Sequence, residues 1–311
     1  MPFLLPEIRV GEPSRHASLS VFPLFVASVG TIEYRLAADA IADGSLVVRE
    51  VSEGGSVSDL MAENRGGIRI LFLEGEELIG AKQNRILNTS VLVAPHSTTR
   101  VPVSCVEQNR WGYRSRHFGS SGSHAPSSLR RSLKSSVTRS VRQERSHRSD
   151  QAQVWRDVAT LHETHGVHSG TAAMSDAFET HGDKVAEYQQ RLGYVDGAFG
   201  FVFAIGDDIV SYDLFDKPET CRSVWARFLS GTVFDALAAG QTESSVSVTD
   251  VERWITDSRE MAWEPTDAVG EGLEYRAEST RGDQASALAY RDTLVHGNLL
   301  APASGGHSAG L

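Results

Sequence analysis

The sequence predicts an α+β fold, mainly antiparallel β-sheet with several helices packed on one side or end, on three observations. Short β-rich runs separated by turn residues fill residues 19–107, and they recur over 197–216 and near the end of the chain. Helical patterns are concentrated between those blocks. No regular βαβα series appears, so a doubly wound parallel sheet is not expected. The 311 residues are read as a single domain over 1–311, with a core from about 19 to 300. A basic Arg/Ser-rich insertion is placed at about 112–149 and a flexible tail at 301–311.

In order, "LSVFPLFV" (Leu19–Val26) reads as a buried strand whose proline suggests an edge or a bulge. "SLVVREV" is a second strand. "GGIRILFLEGEELIGAKQNRILNTSVLVAP" gives a run at Ile68–Leu73, a tight turn around Gly75-Glu76, a short return and a further run at Ile86–Ala94. "TTRVPVSCVE" alternates, with Val101, Val103 and Cys105 on one face. From Trp111 to Asp150, serines and arginines dominate and large apolar residues are few. That stretch reads as a long loop with weak helical pieces, ordered only by contact with the acidic body. Asp150–His165 and Gly182–Gly193 are helical. Gly197–Asp216 forms a hairpin. A helix follows, with Asp216 as cap in an Asp-x-x-Glu box, Pro218 in its first turn, and Val224, Phe228, Val233 and Leu237 inward. "VTDVERWI" is a short helix, and "GLEYRAES" and "ASALAYRDTLVHGNLL" are late strands. "LFLEGEELIG" and "FVFAIGDDIVS" share one pattern. A common hairpin turn and a duplicated unit both explain it.

The net charge of −10 argues against general affinity for nucleic acid or anionic lipid. The charge is uneven, however. Residues 110–148 carry ten Lys/Arg and one Glu, a net of +9, which leaves −19 for the remainder. That segment is the place for a local anion site or an internal clamp. Two cysteines make no disulfide framework, no signal peptide is read at the start, and no stretch reaches 18 apolar residues. A cytoplasmic protein is the expectation, with no membrane partner. The histidines of "LHETHGVH" are spaced three apart and do not fit the zinc-protease pattern, so no metal is read, and no cofactor is identified.

Lys82, Gln83, Asn84 and Arg85 are four consecutive hydrogen-bonding side chains on a predicted strand. A half-buried strand would make one face of such a run apolar, so the departure marks a candidate site. Lys and Arg grip phosphate or carboxylate, and Gln and Asn read amide or hydroxyl edges. A solvated turn with paired surface charges is the plain alternative. The second block, "VSCVEQNRWGYRSRHF", offers Cys105 as nucleophile, Glu107 as acid or base, and Arg110 and Trp111 as ligand contacts. Glu76 is the other acid-base candidate. The aromatic and arginine mixture of the second block suits stacking on a base and pairing with phosphate, or equally a packed Trp111 with arginines paired to Glu74, Glu76 or Glu77.

These blocks, together with "FDKPETCRSVWARFLSGTVFDAL", resemble a prokaryotic family named for its association with ADP-ribosylglycohydrolases and rhodanese-phosphatases. The resemblance runs from about Phe22 to Leu299 and rests on Glu74, Gly75, Glu76, Gly80, Lys82, Gln83, Asn84, Arg85, Cys105, Glu107 and Arg110. It implies a link to NAD or ADP-ribose metabolism and supplies no reaction. Three functions are open: processing of a small phosphate-bearing ligand, a non-catalytic nucleotide-sensing or docking module, and a homo-oligomeric assembly protein.

Overall fold

The structure, a computed structural model, describes residues 5–240 and 243–302. The first half is mostly strand: β1 (Ile8–Val10), β2 (Ser14–His16), β3 (Leu19–Val26), β4 (Tyr34–Leu36), α1 (Ala37–Ala42), β5 (Leu46–Glu50), β6 (Asp59–Asn64), β7 (Arg69–Phe72), β8 (Glu76–Gly80), β9 (Arg85–Leu87), β10 (Val91–Val93), β11 (Ser97–Cys105) and β12 (Phe118–His124). A helical middle follows, with α2 (Ser127–Glu144), α3 (Gln151–His165), α4 (Ser175–Thr180) and α5 (Gly182–Arg191). Then come the hairpin β13 (Gly200–Ile205) and β14 (Asp208–Phe215), and the helices α6 (Pro218–Ala239) and α7 (Val248–Arg259). The last strands are β15 (Glu264–Asp267), β16 (Leu273–Glu278), β17 (Gln284–Tyr290) and β18 (Thr293–Leu300).

The fold is α+β, with three sheets that are antiparallel apart from the β4–β7 pair. The largest runs β1-β3-β13-β14-β18-β17-β16-β15, with β2 also on β3. A second runs β12-β8-β9-β11-β6-β5, and a small one β10-β7-β4. One apolar core lies between the helices and the large sheet, around Phe201, Phe203, Phe228 and Phe234. Another covers the opposite face of that sheet, where α7 brings Val251, Trp254 and Ile255. A third fills the smaller sheets around Phe72, Leu78 and Val101.

Several expectations change. Pro23 is not on an edge, because β3 lies between β13 and the pair β1 and β2. It falls between the registers of those short partners, which pair Leu24–Val26 and Leu19–Val21, so no ladder N–H is missed there. The turn at Gly75 exists, with φ +81° and Glu76 N–H donating to the Leu73 carbonyl at 3.1 Å, but its flanking strands do not pair. β7 joins β10, whereas β8 pairs with β9 through Glu77 and Ile86. The turn therefore passes the chain from one sheet to another. The similar Gly206 closes a true hairpin, with Ile205 opposite Asp208. Asp216 is not the cap of α6. Lys217 holds that position without a side-chain bond, and Asp216 accepts from the Tyr34 hydroxyl instead.

The largest correction concerns the supposed insertion at 112–149. It contains β12 and the 18-residue α2, and α2 is interior. Leu129, Leu133, Val137 and Val141 recur every four residues and are all buried. Each such burial is worth about 1.5–3 kcal/mol. Arg130 and Lys134 on the same helix are also buried, and acids from other elements neutralise them. Gly231 of α6 permits the close crossing here, since a Cβ would lie 2.6 Å from the His124 carbonyl oxygen. The helix over 151–165 agrees with its signals: Asp150 accepts from Gln153 N–H, and Gly166 ends it at φ +63°. Most of the tail at 301–311 lies outside the described residues, although Ala301 is buried.

Candidate ligand-binding site

The two sequence blocks meet. β9 pairs with β11 so that Arg85 lies opposite Cys105 and Leu87 opposite Val103. The chain then returns over the turn 80–84. Asn84 N–H donates to Glu107 Oε2 at 3.0 Å, and Val106 N–H donates to the Asn84 carbonyl at 3.1 Å. Gln83 Nε2 reaches the Gln108 carbonyl at 3.4 Å.

The cations in this turn are already engaged. Arg110 directs Nε and Nη2 at Glu107, at 2.7 and 2.6 Å, and Nη1 at the Ala81 and Gly112 carbonyls. Its Nη2 also meets Asn84 Oδ1 at 3.2 Å. Arg85 is fully buried. It donates to the Gln83 carbonyl at 3.1 Å and to the Ser56 carbonyl at 3.4 Å, and lies 3.8 Å from Glu50. Both guanidiniums thus act as rivets for carbonyls that the irregular turn leaves without ladder partners. Lys82 donates to the Gly54 carbonyl at 2.9 Å, and its ammonium lies 5.3 Å from the Trp111 ring centre and 5.2 Å from that of Tyr113. This cation–π contact fixes two rings that remain 49% and 55% exposed.

The acid-base candidates are similarly committed. Glu76 accepts from Arg227 at 2.9 Å and from Leu73 N–H at 3.3 Å. Burial opposes ionisation of Glu107, but the hydrogen bonds from Arg110 and Asn84 outweigh it and hold its carboxyl below the usual range. Burial pushes the Cys105 thiol up to about 11, and its Sγ donates to the Val57 carbonyl at 3.7 Å. The structure therefore provides no thiolate there at neutral pH. Glu77, absent from the sequence-level candidates, is buried with neither oxygen hydrogen-bonded. Burial first, then the neighbouring Glu107 and Asp176, push it up to about 8. Its only sequence signal was an acid at an inward position of a strand.

Outside this saturated layer is a cleft of about 940 Å³, lined among others by Arg49, Glu53, Arg65, Tyr113, Arg114 and Arg116. Arg114 and Arg116 are exposed, and among the described residues neither guanidinium forms an ion pair. Sequence reasoning included both arginines in the second block but assigned the anion to Lys82, Arg85 and Arg110.

A family model for the ARG and Rhodanese-Phosphatase-superfamily-associated Protein domain matches residues 7–300. The chain belongs to that family. No curated protein and no solved structure matches the chain. The family's name records an association with ADP-ribosylglycohydrolases and rhodanese-phosphatases rather than a reaction. Among the described residues, no helix is long and apolar enough to cross a membrane, and no group of three His, Cys, Asp or Glu side chains is placed to hold a metal ion.

A second charged region of this family member lies behind the first. Arg130 makes a fork on Asp213, at 2.7 and 2.8 Å, and Lys134 pairs with Glu74. Arg276 meets Glu274 at 2.5 Å, and His147 meets the same carboxylate at 2.6 Å. Burial opposes ionisation of Asp213 and Glu274, yet Arg130 and Arg276 hold both well below the usual range, Glu274 at about 2. Burial pulls Lys134 down to about 8 against the pull of Glu74.

Proposed function

We propose that the protein binds a phosphate-bearing metabolite with a planar ring, of the chemical class of ADP-ribose and NAD, on the surface formed by Trp111–His117. One observation carries this reading. Two exposed aromatic rings are held in place by Lys82 beside a large cleft that contains the unpaired guanidiniums of Arg114 and Arg116. A ring stacks on Trp111 or Tyr113, worth about 1–3 kcal/mol. The arginines pair with phosphate oxygens. Carboxylates on the same wall, such as Glu53, accept from sugar hydroxyls. Lys82, Arg85 and Arg110 support the binding surface instead of touching the ligand. Glu76 and Glu107 sit in buried ion pairs, so the reading is one of binding.

Thermal-shift titration with ADP-ribose, NAD and inorganic phosphate tests it. Ligand at about 100 times its dissociation constant stabilises by about 2.7 kcal/mol. ADP-ribose is expected to raise the melting temperature of the native chain, and Arg114→Glu with Arg116→Glu to abolish the shift. If no compound shifts the native protein, or if the shift survives both substitutions, the reading fails.

A further inference from the structure

The buried region holds a group that the binding reading does not use. Ser90 lies in the loop between β9 and β10, and its hydroxyl is 2.8 Å from His296 Nδ1. The other ring nitrogen, Nε2, faces Asp213 Oδ1 at 3.1 Å. Although burial opposes ionisation, Arg130 holds Asp213 well below the usual carboxylate range, so it accepts from Nε2, and in the neutral ring Nδ1 is left to accept from Ser90. Glu74 N–H donates to Ser90 Oγ at 3.0 Å, which leaves the hydroxyl hydrogen to the imidazole. Phe215 stacks on the ring at 4.9 Å and 11°, and the Arg130 fork immobilises the carboxylate. Serine, imidazole and carboxylate bonded in this order form the arrangement that activates a hydroxyl nucleophile. Burial alone does not require it: Ser20 and Ser211 are buried with no partner for their hydroxyls.

A chain of contacts links the neighbouring Thr89 to a cleft. Thr89 Oγ1 donates to Glu274 at 3.0 Å, and Glu274 in turn holds His147 and Arg276. His147 and Arg276 line a cleft of about 360 Å³, whose rim carries Arg142 and Arg145. Arg145 is exposed and has no ion pair among the described residues. The contacts of His147 and Arg276 on Glu274, and of Arg276 Nη2 on Thr89 Oγ1 at 3.3 Å, stand between the cleft and the Thr89–Ser90 backbone.

We propose that Ser90 is the nucleophile of an ester-cleaving site entered through this cleft when the His147–Glu274 contact parts, with Arg145 on the rim favouring substrates that bear an acidic group. Ser90 Oγ bonds to the ester carbonyl carbon while its proton moves to His296 Nδ1. The carbon–oxygen bond to the alcohol then breaks, and the alcohol leaves with that proton. Water attacks the acyl-serine, gives a proton to His296, and Ser90 recovers it as the acid departs. Asp213 is a positioning residue that fixes the tautomer.

A fluorophosphonate probe tests this, because Ser90 Oγ would displace fluoride from phosphorus and keep the adduct. The native chain is expected to be labelled in a time-dependent way, with the adduct mapped by tandem mass spectrometry to Ser90 and absent from heat-unfolded protein. His296→Gln is expected to slow labelling at least ten-fold, and His147→Ala, which removes the contact closing the cleft, to speed it several-fold. Should His296→Gln fail to fold by circular dichroism, mapping on the native chain and His147→Ala decides alone. No adduct on Ser90 in either protein, or one that forms equally in unfolded chain, overturns the proposal.

Discussion

The molecule holds two dense charge clusters, and they differ in what surrounds them. Around α2, every residue of the cluster of Glu74, Arg130, Lys134, Asp213, Glu274 and Arg276 is buried, and Arg276 borders a cleft. At the turn 80–84, an ion-paired inner layer of Arg85, Glu107 and Arg110 supports an outer layer of two exposed rings and two arginines that form no ion pair among the described residues. An ion pair taken out of water gains little net stability over an apolar pair, but breaking it is expensive. The buried cluster therefore specifies which elements meet, namely α2, β14, β16 and the turn between β7 and β8. The turn cluster does the same for its own backbone and in addition presents contacts to solvent. Charge density by itself does not locate a site; unsatisfied and accessible charge does.

The largest effect that could break this comparison comes from Asp213. Asp213→Ala removes the fork on Arg130, leaves its guanidinium only the longer contact with Glu74 at 3.9 Å, and is expected to cost about 3–5 kcal/mol in urea unfolding. A loss below about 1 kcal/mol would show that the interior tolerates a guanidinium without that fork. Next is acid. The folded pKa of Glu274 is lowered to about 2 against roughly 4.3 in an unfolded chain. Its contribution is present above about pH 4 and is lost as pH falls towards 2, on the order of 3 kcal/mol. Glu274→Gln is expected to flatten that part of the stability–pH curve. Glu77 has the opposite sign. Its folded pKa is raised to about 8, so stability is full below about pH 4 and declines as pH rises through that value. Glu77→Gln is therefore expected to stabilise relative to native protein by on the order of 2 kcal/mol at pH 9 and hardly at all at pH 4.5. The smallest effect sharpens the contrast. Trp111→Ala and Arg116→Glu are expected to change unfolding free energy by less than about 0.5 kcal/mol, while the tryptophan change weakens ADP-ribose binding by about 1–3 kcal/mol.

Much of the fold was legible because local signals agreed with burial. Alternation placed Val101, Val103 and Cys105 together, and Asp150 and Gly166 marked the ends of α3. The helix α2 was not legible. Its apolar stripe at Leu129, Leu133, Val137 and Val141 is interleaved with Arg130, Arg131 and Lys134, which sequence reasoning assigns to solvent. Their partners Asp213 and Glu74 lie 83 and 60 residues away, and local pattern carries no record of pairings that distant. For the same reason the Asp-x-x-Glu pattern at Asp216 misled: Tyr34, 182 residues earlier, takes the carboxylate. At the candidate site, the polar run Lys82–Arg85 and the block holding Cys105–Trp111 were legible from residue type. Which cations would be consumed by stray carbonyls of the turn was not, since that depends on a backbone path that residue types do not dictate.

The central claim is that the outer layer of the turn cluster receives the ligand, and the indole N–H signals of the five tryptophans test it most directly. Trp225, Trp254 and Trp263 donate to interior acceptors, to Leu192, Asp283 and Ser258, whereas Trp111 is half exposed. In a ¹H–¹⁵N spectrum titrated with ADP-ribose, the signal missing from Trp111→Phe is expected to move progressively while those three stay in place. A Trp111 signal that stays fixed through a saturating titration would contradict the claim.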